Sequence, residues 1–417
     1  MNHIKSHIAL LFCFTVLVSQ AARIVVQQGT SINSIKQGIQ LAEAGDTVLV
    51  KAGTYREGNI IINKSIVLIG ENKPVADGEY KVEVFTIGAR HVTLMGFTIM
   101  NSGMSNVNDL AGIGGLNVDF ATIRNNELIN TFFGIHLSNC NYGTVENNTL
   151  KSLLRSDIET GNGIHLWQCS NMVIKNNQVR GHRDGIYFEF VTASKVIGNI
   201  SEDNHRYGLH FMFSHDDDYL DNVFRNNGAG VAVMYTRNVK MINNTFERNW
   251  GNSAYGLLLK DINKSQVLNN RFIQNTIGIY MEGTSRTVFT RNYFASNGWA
   301  VKLQASCDNN DFKENNFMSN TFDFATNGTL VLNTINRNYW DKYQGYDLNR
   351  DGTGDIPFRP VNLYAMIVER VPTAVLLWRS FLVFLLDRAE RVFPVVTPEN
   401  LKDDFPSMKP YDLHTTS

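Results

Sequence analysis

The sequence predicts an all-β fold: a right-handed parallel β-helix, a solenoid of coils about 22 residues long, with an N-terminal capping helix and a C-terminal helical tail. Three observations carry this. One asparagine recurs in the same context at Asn126, Asn148, Asn177, Asn199, Asn222, Asn244, Asn270, Asn292, Asn315 and Asn338. Short apolar-alternating segments flank each one, such as Met172, Val173 and Ile174 before Asn177. A glycine followed by alternating residues keeps the same beat, as in Gly134-Ile135-His136-Leu137 and Gly208-Leu209-His210-Phe211. Period-2 alternation over three to five residues, with Gly and Asn at corners, is a β pattern. A repeat of about 22 residues with two or three such strands makes one coil of a β-solenoid. Stacked coils would bring successive asparagines about 4.8 Å apart, close enough for their amides to bond along the stack. The asparagine also tolerates the left-handed conformation of a tight corner.

Composition agrees. The chain has 417 residues, 43% of them apolar, so a large core is available and disorder is excluded. Charged residues make up 18%, below the roughly 25% of an average domain. Asparagine, 48 in number, replaces that polarity. A net charge of −1 argues against a nucleic-acid partner. Only Pro74 precedes Pro357, and the other prolines follow, so the stacked region ends near there.

Residues 1–21 read as a secretory signal peptide: Lys5, an apolar run at 8–18, then Ser19 and Ala21 before a cleavage point. That run is shorter than a membrane span needs. The solenoid is expected over 22–345, with helical spacing at 34–44 capping its open end. Long repeat steps place insertions near 151–160 and 249–254. Cys140 and Cys169 occupy equivalent places in adjacent coils and read as buried neighbours, not a disulfide framework.

A closing loop follows at 346–362. Asp347, Asn349, Asp351 and Asp355 stand at positions 1, 3, 5 and 9 of a calcium-loop pattern with Gly352 at 6. The acid expected at position 12 is replaced by Phe358. Residues 363–417 form the tail; its apolar helical stretch at 363–393 is broken by Pro372. A helix apolar nearly all round needs a cover, so docking on a membrane protein or at a membrane interface is expected ahead of packing on the solenoid's own end, with Trp378, Phe381 and Phe384 as contacts.

On the coil surface, the residue two after each repeat glycine should point out: His136, His165, Tyr187, His210, Ala232, Leu258 and Tyr280. Two places on stand Ser138, Trp167, Glu189, Met212, Met234, Lys260 and Glu282. His182 and His205 stand at neighbouring corners. Imidazole and thioether together suit Cu(I), so the candidate copper ligands are His165, His182, His205, His210, Met212 and Met234. Trp167 and Tyr187 are candidate partner contacts. The rival use of this strip is polysaccharide chemistry, as in a lyase or epimerase, with Asp184, Glu189 and Asp216, Asp217 and Asp218 as the carboxylates.

The leader, the run GLHFMFSHDDD at 208–218, the closure Asn338, Tyr339, Trp340 and Asp341 with Gly345, Tyr346 and Asp347, and the Pro357…Pro360 tail with its apolar helix resemble the NosD family. The resemblance covers essentially the whole chain. It implies a non-enzymatic periplasmic subunit of an ABC-type complex with a membrane permease and a cytoplasmic ATPase. It further implies a role in assembling the copper centres of nitrous oxide reductase, with copper received from a lipoprotein chaperone. The tail would then dock on the permease.

Overall fold

The structure, a computed structural model, describes residues 21–413 apart from 106–107, 154–159, 252–253, 329–331, 379, 393–397 and 399–400. The expected leader lies, but for its last residue, outside the described residues, as does most of the insertion near 151–160. The chain is a parallel β-solenoid of about 13 coils with three sheets of 14, 12 and 13 strands. Strands run from Arg23–Val26 to Tyr339–Trp340. Each strand pairs in parallel with its equivalent one coil later, as Thr144–Glu146 does with Val173–Lys175. We call the sheet holding those two strands sheet 1. Sheet 2 holds Glu127–Ile129 and Thr149–Lys151, and sheet 3 holds Phe133–Ser138 and Ile164–Trp167.

Strands of three residues point only their middle side chain inward, so the core is built of columns. In sheet 2 the column becomes aromatic: Phe246, Phe272, Phe294, Phe317 and Trp340 are buried, with successive ring centroids 4.7, 4.9, 4.8 and 4.2 Å apart. Strand spacing sets this distance, and offset stacking makes it favourable.

The asparagine ladder forms at the corner between sheets 1 and 2, and every rung is buried. Asn222 shows the arrangement. Its Oδ1 accepts from Asn199 N (2.9 Å) and Asn199 Nδ2 (3.0 Å), while its Nδ2 donates to Val196 O (2.8 Å) and Asn244 Oδ1 (3.0 Å). Both amide atoms are therefore satisfied inside the core, where an unmet group would be costly. The left-handed residue is not the rung but the one before it: Asn125, Asn147, Asn176, Asp221, Asn243 and Asn269 all have φ between 54° and 59° or close to it. This corrects the expected division of labour, since one asparagine turns the corner and the next bonds along it. Gly96, at φ 83°, holds the turning place in an early coil, and Phe97 the rung.

A second ladder occupies the corner between sheets 2 and 3, through Asn204, Asn227, Asn249, Asn275, Asn297 and Asn320. Each lies five residues after a rung of the first, a spacing visible in the sequence.

Both ends are covered. Helix α1 (Ile35–Leu41) is N-capped by Ser34 and buries Ile35, Gly38 and Ile39 on the first coil. A Cβ at Gly38 would lie 2.4 Å from Val26 Cγ2, so the helix seats closely only with glycine there. At the other end Asp403 takes the place of the next rung: its Oδ2 accepts from Asn338 N, Asn338 Nδ2 and Trp340 Nε1 at 2.8, 3.2 and 3.0 Å. Part of the tail thus terminates the ladder.

Helix α2 (Leu363–Arg370) buries Tyr364, Ala365, Met366 and Val368, and Glu369 pairs with Lys302 of the last sheet-3 strands at 2.6 Å. A 3-10 turn at Pro372–Leu377 and helix α3 (Phe381–Val392) follow. No described helix is long and apolar enough to cross a membrane.

Candidate functional site

Sheet 3 carries the outward strip in the register its sequence implies. His136 pairs with His165, His165 with Tyr187, Tyr187 with His210, and His210 with Ala232. Their rings form one continuous row, with centroids 4.8 Å apart for His136–His165 and 4.7 Å for both His165–Tyr187 and Tyr187–His210. Ser138, Trp167, Glu189, Met212 and Met234 make the parallel row beside it. The Tyr187 hydroxyl donates toward Met212 Sδ at 3.7 Å, joining the two rows.

The polar atoms of this row are buried yet unmet among the described residues: both ring nitrogens of His165 and Nε2 of His210. Burial, with His136, Arg183 and His210 nearby, holds the His165 imidazole well below its ordinary range. Burial likewise lowers His136 and raises the Tyr187 phenol. These imidazoles are therefore neutral at neutral pH, the form in which histidine binds a metal. His210 is anchored on its other nitrogen, Nδ1, which lies 3.4 Å from Asp184 Oδ2.

The other candidate ligands are placed differently. His182 is fully buried, and its N–H donates to Asn204 Oδ1, the pattern of a second-ladder rung. Burial brings its imidazole down to about 4. His205 follows one coil later at the same corner, its N–H on His182 O. The geometry thus gathers His165, Tyr187, His210, Met212 and Met234 on one face and leaves His182 and His205 at the corner beside it. Among the described residues no three His, Cys, Asp or Glu side chains are arranged to hold a metal ion. The six candidate ligands do not form one preformed site. What remains is a set of imidazole and thioether groups, donor types that suit Cu(I).

Calcium finds no support. Asp347 turns its carboxylate onto the N–H groups of Asp351 and Gly352, Asp351 onto that of Thr353, and Asp355 onto that of Leu348. The loop is a set of side-chain-capped turns.

Cys140 and Cys169 are buried free thiols in adjacent coils, Cys140 N donating to Cys169 Sγ at 3.4 Å. The expected partner residues of the tail are exposed: Phe381 is 74% and Phe384 54% accessible, beside Leu376 at 85%. Sequence reasoning did not single out the exposed stack Phe190, Phe213 and Tyr235, centroids 5.1 and 5.0 Å apart, which borders the methionines. Its signal was the residue directly after Glu189, Met212 and Met234 in three successive coils.

Residues 151–349, a little under half of the chain, match the family described as periplasmic copper-binding protein (NosD). A probable ABC transporter binding protein NosD of Stutzerimonas stutzeri is 28% identical over 197 residues, which is 43% of this chain and 44% of that protein. The match therefore spans less than half the length of that curated relative. Among solved structures, the catalytic unit of a GH87 α-1,3-glucanase from Streptomyces thermodiastaticus strain HF3-3 is similar at a TM-score of 0.62 and 13% identity, over 79% of this chain and 71% of that one. PfbA, a surface adhesin of Streptococcus pneumoniae, is similar at 0.53 and 14% identity, over 77% and 93%. An enzyme and an adhesin share the solenoid, so these two likenesses speak for the fold alone. In sequence, this chain is similar to the NosD family over a segment that includes His165, Tyr187, His210, Met212 and Met234.

Proposed function

We propose that this chain is the periplasmic binding subunit of an ABC-type transport complex, and that it handles copper on its way to the copper centres of nitrous oxide reductase. The observation that carries the reading is the row of buried, unpartnered imidazole nitrogens beside Met212 and Met234, inside the segment that matches the copper-binding family. Copper enters as cargo: neutral nitrogen and thioether ligands hold Cu(I) weakly enough for release. A lipoprotein chaperone would load the strip, with Trp167 and the Phe190 stack as its contact surface. Trp378 and the apolar face of α3, through Phe381 and Phe384, would dock on the permease, whose ATPase lies across the membrane.

Titration of the full chain with Cu(I) against a chromophoric chelator tests the strip. His210→Ala and Met212→Ala should each weaken binding by about tenfold or more. Unchanged affinity in both variants overturns the assignment.

One observation favours a second reading. An Asp–His couple beside a tyrosine is also the equipment of a general base, as a carbohydrate-active enzyme would need. Turnover of an acidic polysaccharide, lost in His210→Ala, would decide for it.

A further inference from the structure

We infer that Asp184 is a positioning residue that sets which nitrogen of His210 faces the row. Asp184 is 1% exposed and belongs to the coil before His210. Its Oδ2 lies 3.4 Å from His210 Nδ1, and its Oδ1 accepts from Tyr207 N at 3.4 Å with Arg206 Nε 3.9 Å away. A carboxylate only accepts, so the shared proton sits on Nδ1, and the nitrogen left for a metal is Nε2. The ring cannot turn away from this arrangement: Tyr187 stacks on one neighbouring side at 4.7 Å and Tyr207 packs at 4.8 Å. Nε2 is the atom left without a partner among the described residues.

His210 thus differs from the other rings of the row. Among the described residues His165 has no partner at either nitrogen, and His136 approaches Ser138 Oγ at 3.3 Å. Asp109 lies near His136, but at His210 a carboxylate oxygen meets a ring nitrogen directly, the kind of partner that fixes the tautomer of metal-binding histidines. The row therefore has a defined end, where the ligating atom is preset before the metal arrives. This last step rests on the copper reading; the tautomer itself does not.

Nitrogen-15 and proton correlation of the imidazoles in metal-free, histidine-labelled protein reads the tautomer directly, with His210→Ala giving the assignment. The wild type should show His210 protonated at Nδ1, and Asp184→Ala should shift it toward Nε2 protonation. An Nε2-protonated wild type, or an unchanged Asp184→Ala spectrum, overturns the inference. The wild-type spectrum alone decides it should Asp184→Ala fail to fold. Cu(I) titration should then show Asp184→Ala weaker by about 10- to 100-fold. If the tautomer result holds while His210→Ala leaves Cu(I) affinity unchanged, the positioning role of Asp184 stands and the copper reading falls.

Discussion

Two buried polar columns run along this solenoid, and they are built on opposite principles. At the corner between sheets 1 and 2, an asparagine amide such as that of Asn222 is saturated: its oxygen accepts twice and its nitrogen donates twice. On sheet 3, two coils hold imidazole nitrogens, those of His165 and Nε2 of His210, that meet nothing among the described residues. The inner column has every bond it needs, so it contributes register and stability. The outer row keeps coordinating atoms in reserve at some cost in stability, which is the signature expected of a binding site.

Substitution in the middle of the ladder should produce the largest effect. Asn222→Ala removes four hydrogen bonds and takes from Asn199 N and from Val196 O their side-chain partner in the core. Each orphaned group costs about 1–3 kcal/mol, so a loss of about 3–5 kcal/mol in urea unfolding is expected. A loss below about 1 kcal/mol would show that water replaces the amide, and the contrast between the two columns would collapse.

Asp217 gives an intermediate and pH-dependent case, because it is a corner group that is only half satisfied. Its Oδ1 accepts from Ser194 N at 2.7 Å, while Oδ2 and the nearby Tyr219 hydroxyl have no partner among the described residues. Burial pushes its carboxyl from 3.8 up to about 8. The unfolded chain therefore gives up a proton that the folded chain keeps between those two values. Stability should fall as pH rises through that window, by at most about 1.4 kcal/mol per pH unit. Asparagine fits the place, since Asn310 stands in the same column and accepts from Thr287 N at 3.0 Å. Asp217→Asn should add about 1–3 kcal/mol at pH 7.5 and flatten the profile from pH 5 to 8 in thermal melts. A profile as steep as that of the wild type would mean that another group governs it.

The smallest effect on stability is expected in the row itself. His165→Phe exchanges two unmet nitrogens for carbon at nearly constant shape, so unfolding should change by less than about 1 kcal/mol, in either direction. Cu(I) affinity in the same variant should drop. A large destabilisation would show that His165 is a structural residue with hidden partners, and the outer row would cease to differ from the inner one.

Much of this was legible from residue spacing. The first ladder, the alternation of the Gly-Ile-His-Leu segments and the pairing of His136, His165, Tyr187 and His210 follow from a fixed repeat, because coils of equal length put equivalent residues in register. The second ladder was equally written, five residues after the first, and was passed over because Asn204 or Asn249 alone resembles any corner residue. His182 misled for the opposite reason. Its place before Arg183 and Gly185 resembles that of His205, yet one position along a tight corner separates an inward side chain from an outward one. The calcium pattern at Asp347 found no support, its carboxylates accepting from the nearest amide groups instead.

By itself the sequence determined the solenoid, its coil length, the parallel register and the row of rings on sheet 3, since all of these are periodic and local rules suffice. Only the tertiary structure decided the rest. Asp403 comes from 65 residues beyond Asn338 to finish the ladder, and Asp184 comes from another coil to hold His210. Neither contact leaves a mark in the spacing. Which polar atom in a buried column ends with a partner depends on side chains that converge from distant coils, and only the folded chain brings these together.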